Sequence, residues 1–204
     1  MLDNNLISII TPAWKAASFI ATTINSVKQQ TYQNWEMIIV DDCSPDNTSL
    51  IVADLAKTDP RIRLIRHENN GGPATARNTG VAAAQGRWIA MLDSDDEWLP
   101  DKLEKQLAFH RNVGGSLTYT AFRRITADAN QTGGLIQVPA TITYSQLLGN
   151  TAIATSTVMI DRQKAANINF KKIYYDDFGC WLDLLRDAGE AHGLQEDLMR
   201  YRVL

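Results

Sequence analysis

Apolar residues along the chain gather in short runs without strict period-two alternation, and between the runs they recur every three to four positions. Leu6 to Thr11 is the first run, ended by Pro12, and Phe19, Ile20, Ile24 and Val27 then follow at helical spacing. Met37 to Val40 is the second. It leads into the turn and capping residues of Asp41 to Thr48 and a helix from about Ser49 to Lys57. Asp59-Pro60 breaks that helix, and Ile62 to Ile65 gives a third strand. Asn69-Asn70-Gly71-Gly72 is a turn that puts Pro73 at the first position of a helix reaching about Gln85. Trp88 to Leu92 is the fourth run, which suits a strand buried on both faces, although periodicity alone does not separate it from a buried helix. Four strands alternating with three helices imply an α/β fold with a doubly wound, mostly parallel sheet and right-handed crossovers.

The pattern changes after Leu92. Pro100 opens a helix in which Leu99, Leu103, Leu107 and His110 share a face, ended by Gly114-Gly115. Ser116 to Ile125 and Leu135 to Val138 read as strands about a Gly133-Gly134 turn, and Thr157 to Ile160 as another, with a loop-rich stretch from Tyr144 to Ser156. Strands without crossover helices imply an antiparallel or mixed extension of the sheet. A last helix begins near Asp177, with Trp181, Leu184 and Leu185 facing the core.

Composition narrows the partners. A formal net charge of -3 over 204 residues, with both signs mixed, argues against a nucleic-acid binder driven by bulk electrostatics and favours a small-molecule partner. Met1-Leu2-Asp3-Asn4-Asn5 lacks the basic and apolar regions of a secretory leader, and no apolar run approaches membrane-spanning length, so the expected location is cytoplasmic. Cys43 and Cys180 form neither a CxxC pair nor a disulfide framework, and reduced thiols are expected.

The candidate chemistry sits where strands end. Asp93, Asp95 and Asp96 follow the fourth run, at the carboxyl edge where open α/β sheets bind ligands. Clustered acids repel one another unless a cation is present, and Mg²⁺ or Mn²⁺ commonly bridges one or two carboxylates to substrate phosphates. An acidic turn capping the next helix is the plainer alternative. Asp42, after the second strand, either accepts hydrogen bonds from a nucleotide's base or ribose or only organises its turn. Arg77, one turn into the third helix, forks onto a phosphate or carboxylate or pairs with Asp93 or Asp95, two roles that do not exclude each other. Asp177 is either a helix cap or a general base for a hydroxyl nucleophile. Neither GxGxxG nor GxxxxGK[ST] occurs, which argues against nicotinamide, flavin and P-loop enzymes. His67, His110 and His192 lack metal-ligand spacing; His110 and His192 read as surface, while His67 borders the third strand.

Four ordered motifs carry a resemblance: Ser8-Ile9-Ile10-Thr11-Pro12, Val40 to Thr48, Asn70 to Gly80, and Leu92-Asp93-Ser94-Asp95-Asp96. Together they closely resemble the inverting family 2 glycosyltransferases of GT-A fold, of the type that builds bacterial surface polysaccharides. The match is strong in the first half and extends to Asp176-Asp177 and Trp181. The resemblance implies one GT-A catalytic domain, with residues 1–112 binding the nucleotide-diphospho-sugar donor and 113–204 the saccharide or lipid-linked saccharide acceptor. It implies that Thr11, Pro12, Trp14, Asp42, Arg77, Asp93, Ser94 and Asp95 bind the donor, a UDP-sugar. It further implies that Asp93 and Asp95 hold a divalent cation (Mn²⁺ or Mg²⁺), that Asp177 is the base, and that the enzyme works in the cytoplasm at the inner membrane face, touching the membrane peripherally through its acceptor. Trp14-Lys15 replaces the family's usual Tyr-Asn, and Asp176-Asp177 its usual Glu-Asp, which leaves two acids for one base. Residues 197–204 resemble a strand beyond which such enzymes continue, so a truncated carboxyl terminus is expected. Two rival readings stand beside this one: an aspartate-dependent phosphotransferase, and a nucleotide-sugar-binding domain without turnover.

Overall fold

The computed structural model describes residues 3–149, 152–165 and 167–204. Its elements run β1 (Asp3–Ala13), α1 (Ile20–Lys28), β2 (Trp35–Asp41), α2 (Thr48–Thr58), β3 (Ile62–Arg66), α3 (Pro73–Ala83) and β4 (Gly86–Met91). Then come β5 (Glu97–Trp98), α4 (Lys102–Val113), β6 (Leu117–Thr126), β7 (Thr132–Ile136), β8 (Thr141–Thr143), α5 (Tyr144–Leu147), β9 (Met159–Asp161), α6 (Asp176–Ala188) and β10 (Glu190–Val203). One sheet runs through all of it, in the order β3-β2-β1-β4-β9-β6-β10-β5, with β7 on β6 and β8 on β10. The pairs β1–β2, β1–β4, β2–β3 and β6–β10 are parallel. Because β9 is antiparallel to both β4 and β6, β6 points the same way as β4. The expected mixed, mostly parallel α/β sheet is therefore present.

Why the runs lack alternation is visible in where their residues go. Ile7 and Ile9 of β1, Met37 and Ile39 of β2, and Trp88 and Ala90 of β4 pack with α1 and α4 through Ile20, Ile24, Leu103 and Leu107. Ile10, Ile38, Val40, Ile89 and Met91 point to the other face and meet α3 and α6 through Ala76, Val81, Trp181 and Leu184. Period two is still present, but both faces are dry. The helix α3 lies so close to β1 that a Cβ at Gly80 would stand 2.5 Å from Ile10 Cγ2.

Four expectations change. Gly133-Gly134 lies inside β7; the turn is made at Ala127 to Ala129, where Asp128 accepts from Thr126 Oγ1 at 2.5 Å and the Asn130 amide at 3.1 Å, and Ala129 has φ 59°. The helix expected from Pro100 begins at Lys102. Tyr144 to Ser156 is not all loop, because Thr143 and Gln146 close a capping box that starts α5. His110 is not at the surface: only 1% exposed, it sits edge-on to Trp88, bonds the Gly115 carbonyl at 2.9 Å through Nε2 and takes the Thr118 hydroxyl at 3.0 Å on Nδ1. A helical face with one histidine among leucines gives no way to tell it from a half-polar stripe. Cys43 and Cys180 are free thiols, as expected.

Burial pushes His110 from the ordinary 6.5 down to about 4, so the folded protein keeps it neutral while the unfolded chain protonates. Stability should therefore fall as pH drops through 6.5 and level off near 4. Subtracting the melting profile of His110→Gln from that of wild type isolates this component; a flat difference across the window would refute it.

Candidate active site

Strand order reverses at β1, whose neighbours β2 and β4 continue in opposite directions, and the crevice at such a point is where open α/β sheets take ligands. There a cleft of about 460 Å³ is lined by Pro12, Trp14, Asp42, Arg77, Asp93, Ser94 and Asp95, together with Asn70, Gly72 and Tyr201. Of the residues expected at the donor, only Thr11 is outside this lining; it is fully buried. Trp14 is half exposed, with the Lys15 ammonium 4.3 Å from its ring centre. Lys15 and Cys43 have φ of 54° and 60°, left-handed values that non-glycine residues adopt at some cost, and both lie in loops at the cleft end of the sheet. The Lys15 amide donates to Ser44 Oγ at 3.1 Å, tying the two loops together.

Asp42 organises the loop opposite. Its carboxylate accepts from the Gly71 amide at 2.9 Å and the Gly72 amide at 2.7 Å, and meets His67 Nδ1 at 2.7 Å. Thr79 Oγ1 holds the other ring nitrogen of His67 at 3.0 Å. Burial works to raise the Asp42 pKa, but these amides and the imidazole outweigh it and hold the carboxyl below its usual range. Gly72, with φ 84°, presents its amide and then starts α3 through Pro73. The turn-organising alternative is thus realised, by a carboxylate that also lines the cleft.

Arg77 is 6% exposed and forks between two elements, donating from Nη2 to Asp93 at 2.8 Å and from Nη1 to Asp176 at 2.7 Å. Burial alone would lower its pKa; Asp93 and then Asp176 reverse this and keep it charged. The expected pairing of Arg77 with Asp93 is present, and Asp176 is its second partner.

The three clustered acids differ. Asp96 is almost wholly buried, accepting from Ser156 Oγ at 2.5 Å and from the Arg202 amide at 2.9 Å, and burial followed by the Asp93 charge raises its pKa well above normal. It supports the loop. Asp95 is raised in the same direction, first by burial and then by Asp93. A cation at this point would relieve that repulsion, and two carboxylates are what Mg²⁺ or Mn²⁺ takes from a protein when phosphates and water complete its shell. Asp93 and Asp95 therefore fit such an ion. Among the described residues no group of three or more His, Cys, Asp or Glu is arranged to hold one.

A second cleft, of about 520 Å³, shares Pro73, Arg77, Asp93 and Tyr201 with the first and adds Phe122, Arg124, Thr155, Tyr175 and Asp177. Here the two candidate bases separate. Asp176 is buried against Arg77, whereas Asp177 is partly exposed to the cleft and accepts from Thr155 Oγ1 at 2.6 Å. Sequence reasoning did not find Tyr201, Thr155, Ser156 or Arg202. Ser156 Oγ also accepts from the Asp93 amide at 2.9 Å, and Arg202 Nε donates to the Asp95 carbonyl at 2.8 Å. No local pattern marks a serine or an arginine that acts through another segment's backbone.

The family model described as "Glycosyl transferase family 2" matches residues 8–176. The putative teichuronic acid biosynthesis glycosyltransferase TuaG of Bacillus subtilis is 42% identical over 200 residues, 98% of this chain and 79% of that one. The Escherichia coli UDP-Glc:alpha-D-GlcNAc-diphosphoundecaprenol beta-1,3-glucosyltransferase WfgD is 39% identical over 186 residues, 91% and 72% of the two chains. Among solved structures, S. aureus TarS 1-349 in complex with UDP superposes with a TM-score of 0.81 at 20% identity, covering 97% of this chain and 60% of that one, a likeness of fold. The chain thus spans about 60% of the TarS 1-349 fragment and 36% of the longer TarS chain.

Replacing Asp42 by Asn removes one of the two acceptor oxygens that serve Gly71, Gly72 and His67. A partly buried amide left unpaired costs at most about 1–3 kcal/mol, or up to roughly 2–12 °C in melting temperature for a chain of this size. Calorimetry of Asp42→Asn checks this; an unchanged melting temperature would show that the turn does not need the carboxylate.

Proposed function

The chain belongs to glycosyl transferase family 2, and from that premise we propose that it moves a sugar from UDP to a hydroxyl of a lipid-linked saccharide, with inversion, in cell-envelope polysaccharide synthesis. The observation that carries this is the junction of two clefts at Arg77, Asp93 and Tyr201, one bounded by the acid loop and the other by a cleft-facing carboxylate. UDP as the donor nucleotide is supported by the donor in the name of WfgD and by the UDP bound in TarS. The lipid-linked acceptor is supported by the diphosphoundecaprenol in the WfgD name. We assign residues 1–112 to donor binding and 113–204 to acceptor binding, within one catalytic domain at the cytoplasmic membrane face. Among the described residues no helix is long and apolar enough to cross a membrane.

In this reading Pro12, Trp14, Asp42, Arg77 and Ser94 shape the donor cleft, with Thr11 beneath its floor. Asp93 and Asp95 hold the divalent cation, which when bound neutralises charge on the departing diphosphate. Asp177 takes the proton of the acceptor hydroxyl as its oxygen forms a bond to the anomeric carbon; the bond to the diphosphate breaks and its electron pair leaves with UDP. Attack opposite the leaving group inverts the anomeric configuration, the displacement logic of inverting hydrolases. The Thr155 hydroxyl fixes one Asp177 oxygen and leaves lone pairs for the acceptor. Asp176 serves instead as the counter-charge of Arg77.

Two measurements test these roles. UDP with Mn²⁺ should raise the melting temperature, UDP in excess chelator should do so far less, and Asp95→Ala should erase the difference; equal stabilisation with chelator would sink the cation role. Asp177→Asn should cut transfer by about a hundredfold or more while sparing UDP binding and stability, the scale of a lost general base. Asp176→Asn should instead lower stability by about 3–5 kcal/mol, since it strips a partner from a buried guanidinium. The reverse pattern would move the base to Asp176.

A further inference from the structure

The segment that links β9 to α6 ends in Lys171-Lys172-Ile173-Tyr174-Tyr175, directly before Asp176 and Asp177. Its apolar members face water: Ile173 is 54% exposed, Tyr174 90% and Tyr175 62%. The two tyrosine rings meet edge to face, with centroids 4.7 Å apart, so the most exposed aromatic packs on its neighbour rather than on the core. Large apolar groups clustered in water mark a contact surface. Tyr175 also lines the second cleft, so whatever the segment touches lies at the mouth through which Asp177 is reached.

The chemistry of the five residues selects the contact. Tyrosine has an apolar body and a polar tip, and it concentrates at membrane–water interfaces. Lysine extends its stem along apolar surface while its ammonium stays among headgroups. Lys171 and Lys172 are both exposed, and although Lys171 pairs with Asp183 at 2.6 Å, Arg186 shares that carboxylate at 2.8 Å. Across the cleft, Arg124 adds an exposed cation to the rim. Asp183 is shared by Lys171 and Arg186 and Asp176 is held by Arg77, so the cations of this edge outnumber its carboxylates in a chain whose formal net charge is -3. A local reversal of sign around exposed aromatics complements an anionic lipid surface.

We propose that Lys171 to Tyr175 is a membrane-docking edge that sets the mouth of the Asp177 cleft against an anionic bilayer. The inference rests on the lipid-linked acceptor proposed above and adds the surface through which that acceptor is met. Docking here lets the saccharide headgroup enter from the membrane while its lipid stays in the bilayer. A single patch of this size gives reversible binding, since stable anchoring takes more than one signal.

The test is flotation of the whole chain with vesicles of phosphatidylglycerol and phosphatidylcholine, compared with phosphatidylcholine alone. Wild type should float with the anionic vesicles and much less with the neutral ones. The variant Lys172→Ser/Tyr174→Ser changes two residues outside both clefts, and it should weaken vesicle binding by about fivefold or more, the scale of one basic residue near an anionic surface. Its UDP-dependent melting shift should match wild type, which shows that the fold survives. Wild type that stays with the unbound fraction, or a double variant that floats equally well, overturns the proposal; in the first case the patch is a protein contact. Vesicle binding needs no donor and no turnover, so its failure is distinct from failure of the glycosyltransferase reading, which the UDP and Asp177 measurements address.

Discussion

A single buried charge sets the relation between the two clefts. Arg77 joins α3 to the end of β4 through Asp93 and to the start of α6 through Asp176, and it is all but excluded from water. A guanidinium in that position is tolerable only while both carboxylates stay ionised and in reach, because an unpaired buried charge costs several kcal/mol. The fork is planar and rigid, so it fixes directions as well as distances. Arg77 and Asp93 line both clefts, and the wall between them is therefore held by electrostatics rather than by packing alone. Asp93 is partly neutralised by this contact. Asp95 and Asp96 both carry raised pKa values, from burial first and then from the Asp93 charge.

The first half of the fold was legible because burial on both sheet faces writes itself as unbroken apolar runs. β1, β2 and β4 fall where those runs lie, and each run's residues divide alternately between the two faces; β3, at the sheet edge, is interrupted by Arg63 and only partly buried. β10 was legible only in its second half, from Asp197 onward. Its first residues, Glu190 to Glu196, include polar side chains and Gly193, yet they form a strand because β6 and β8 supply partners on both sides. Pairing of that kind comes from the sheet and leaves no periodicity in the strand itself. β5 is only two residues long, too short for any pattern, and exists because β10 passes beside it.

The candidate site divides in the same way. Residue types at strand ends, Asp42, Asp93 and Asp95, and at a helix start, Asp177, were visible because their chemistry is local. Which of two roles each would take was not, since that depends on partners far along the chain. Asp42 became the holder of a turn through amides 29 and 30 residues away, and Asp176 was separated from Asp177 by an arginine 99 residues away. Ser156, which steadies both Asp93 and Asp96, has no sequence signal because a hydroxyl is an ordinary loop residue until its neighbours are known.

The acid loop depends most on the strand that arrives last. Arg202 of β10 donates to the Asp95 carbonyl, to Glu97 and to the Ala127 carbonyl, while its own amide serves Asp96. These contacts close loops of 75 to 107 residues, whose entropic cost grows only slowly with length and is shared with the β6–β10 ladder. Carboxylates crowded at a strand end push each other apart, so the loop that bears them needs restraint from outside its own segment. Arg202 applies that restraint through the Asp96 and Glu97 carboxylates and the Asp95 carbonyl, not through the carboxylates of Asp93 and Asp95. The side chains of Asp93 and Asp95 consequently remain turned to the cleft, where a ligand's charge can meet them.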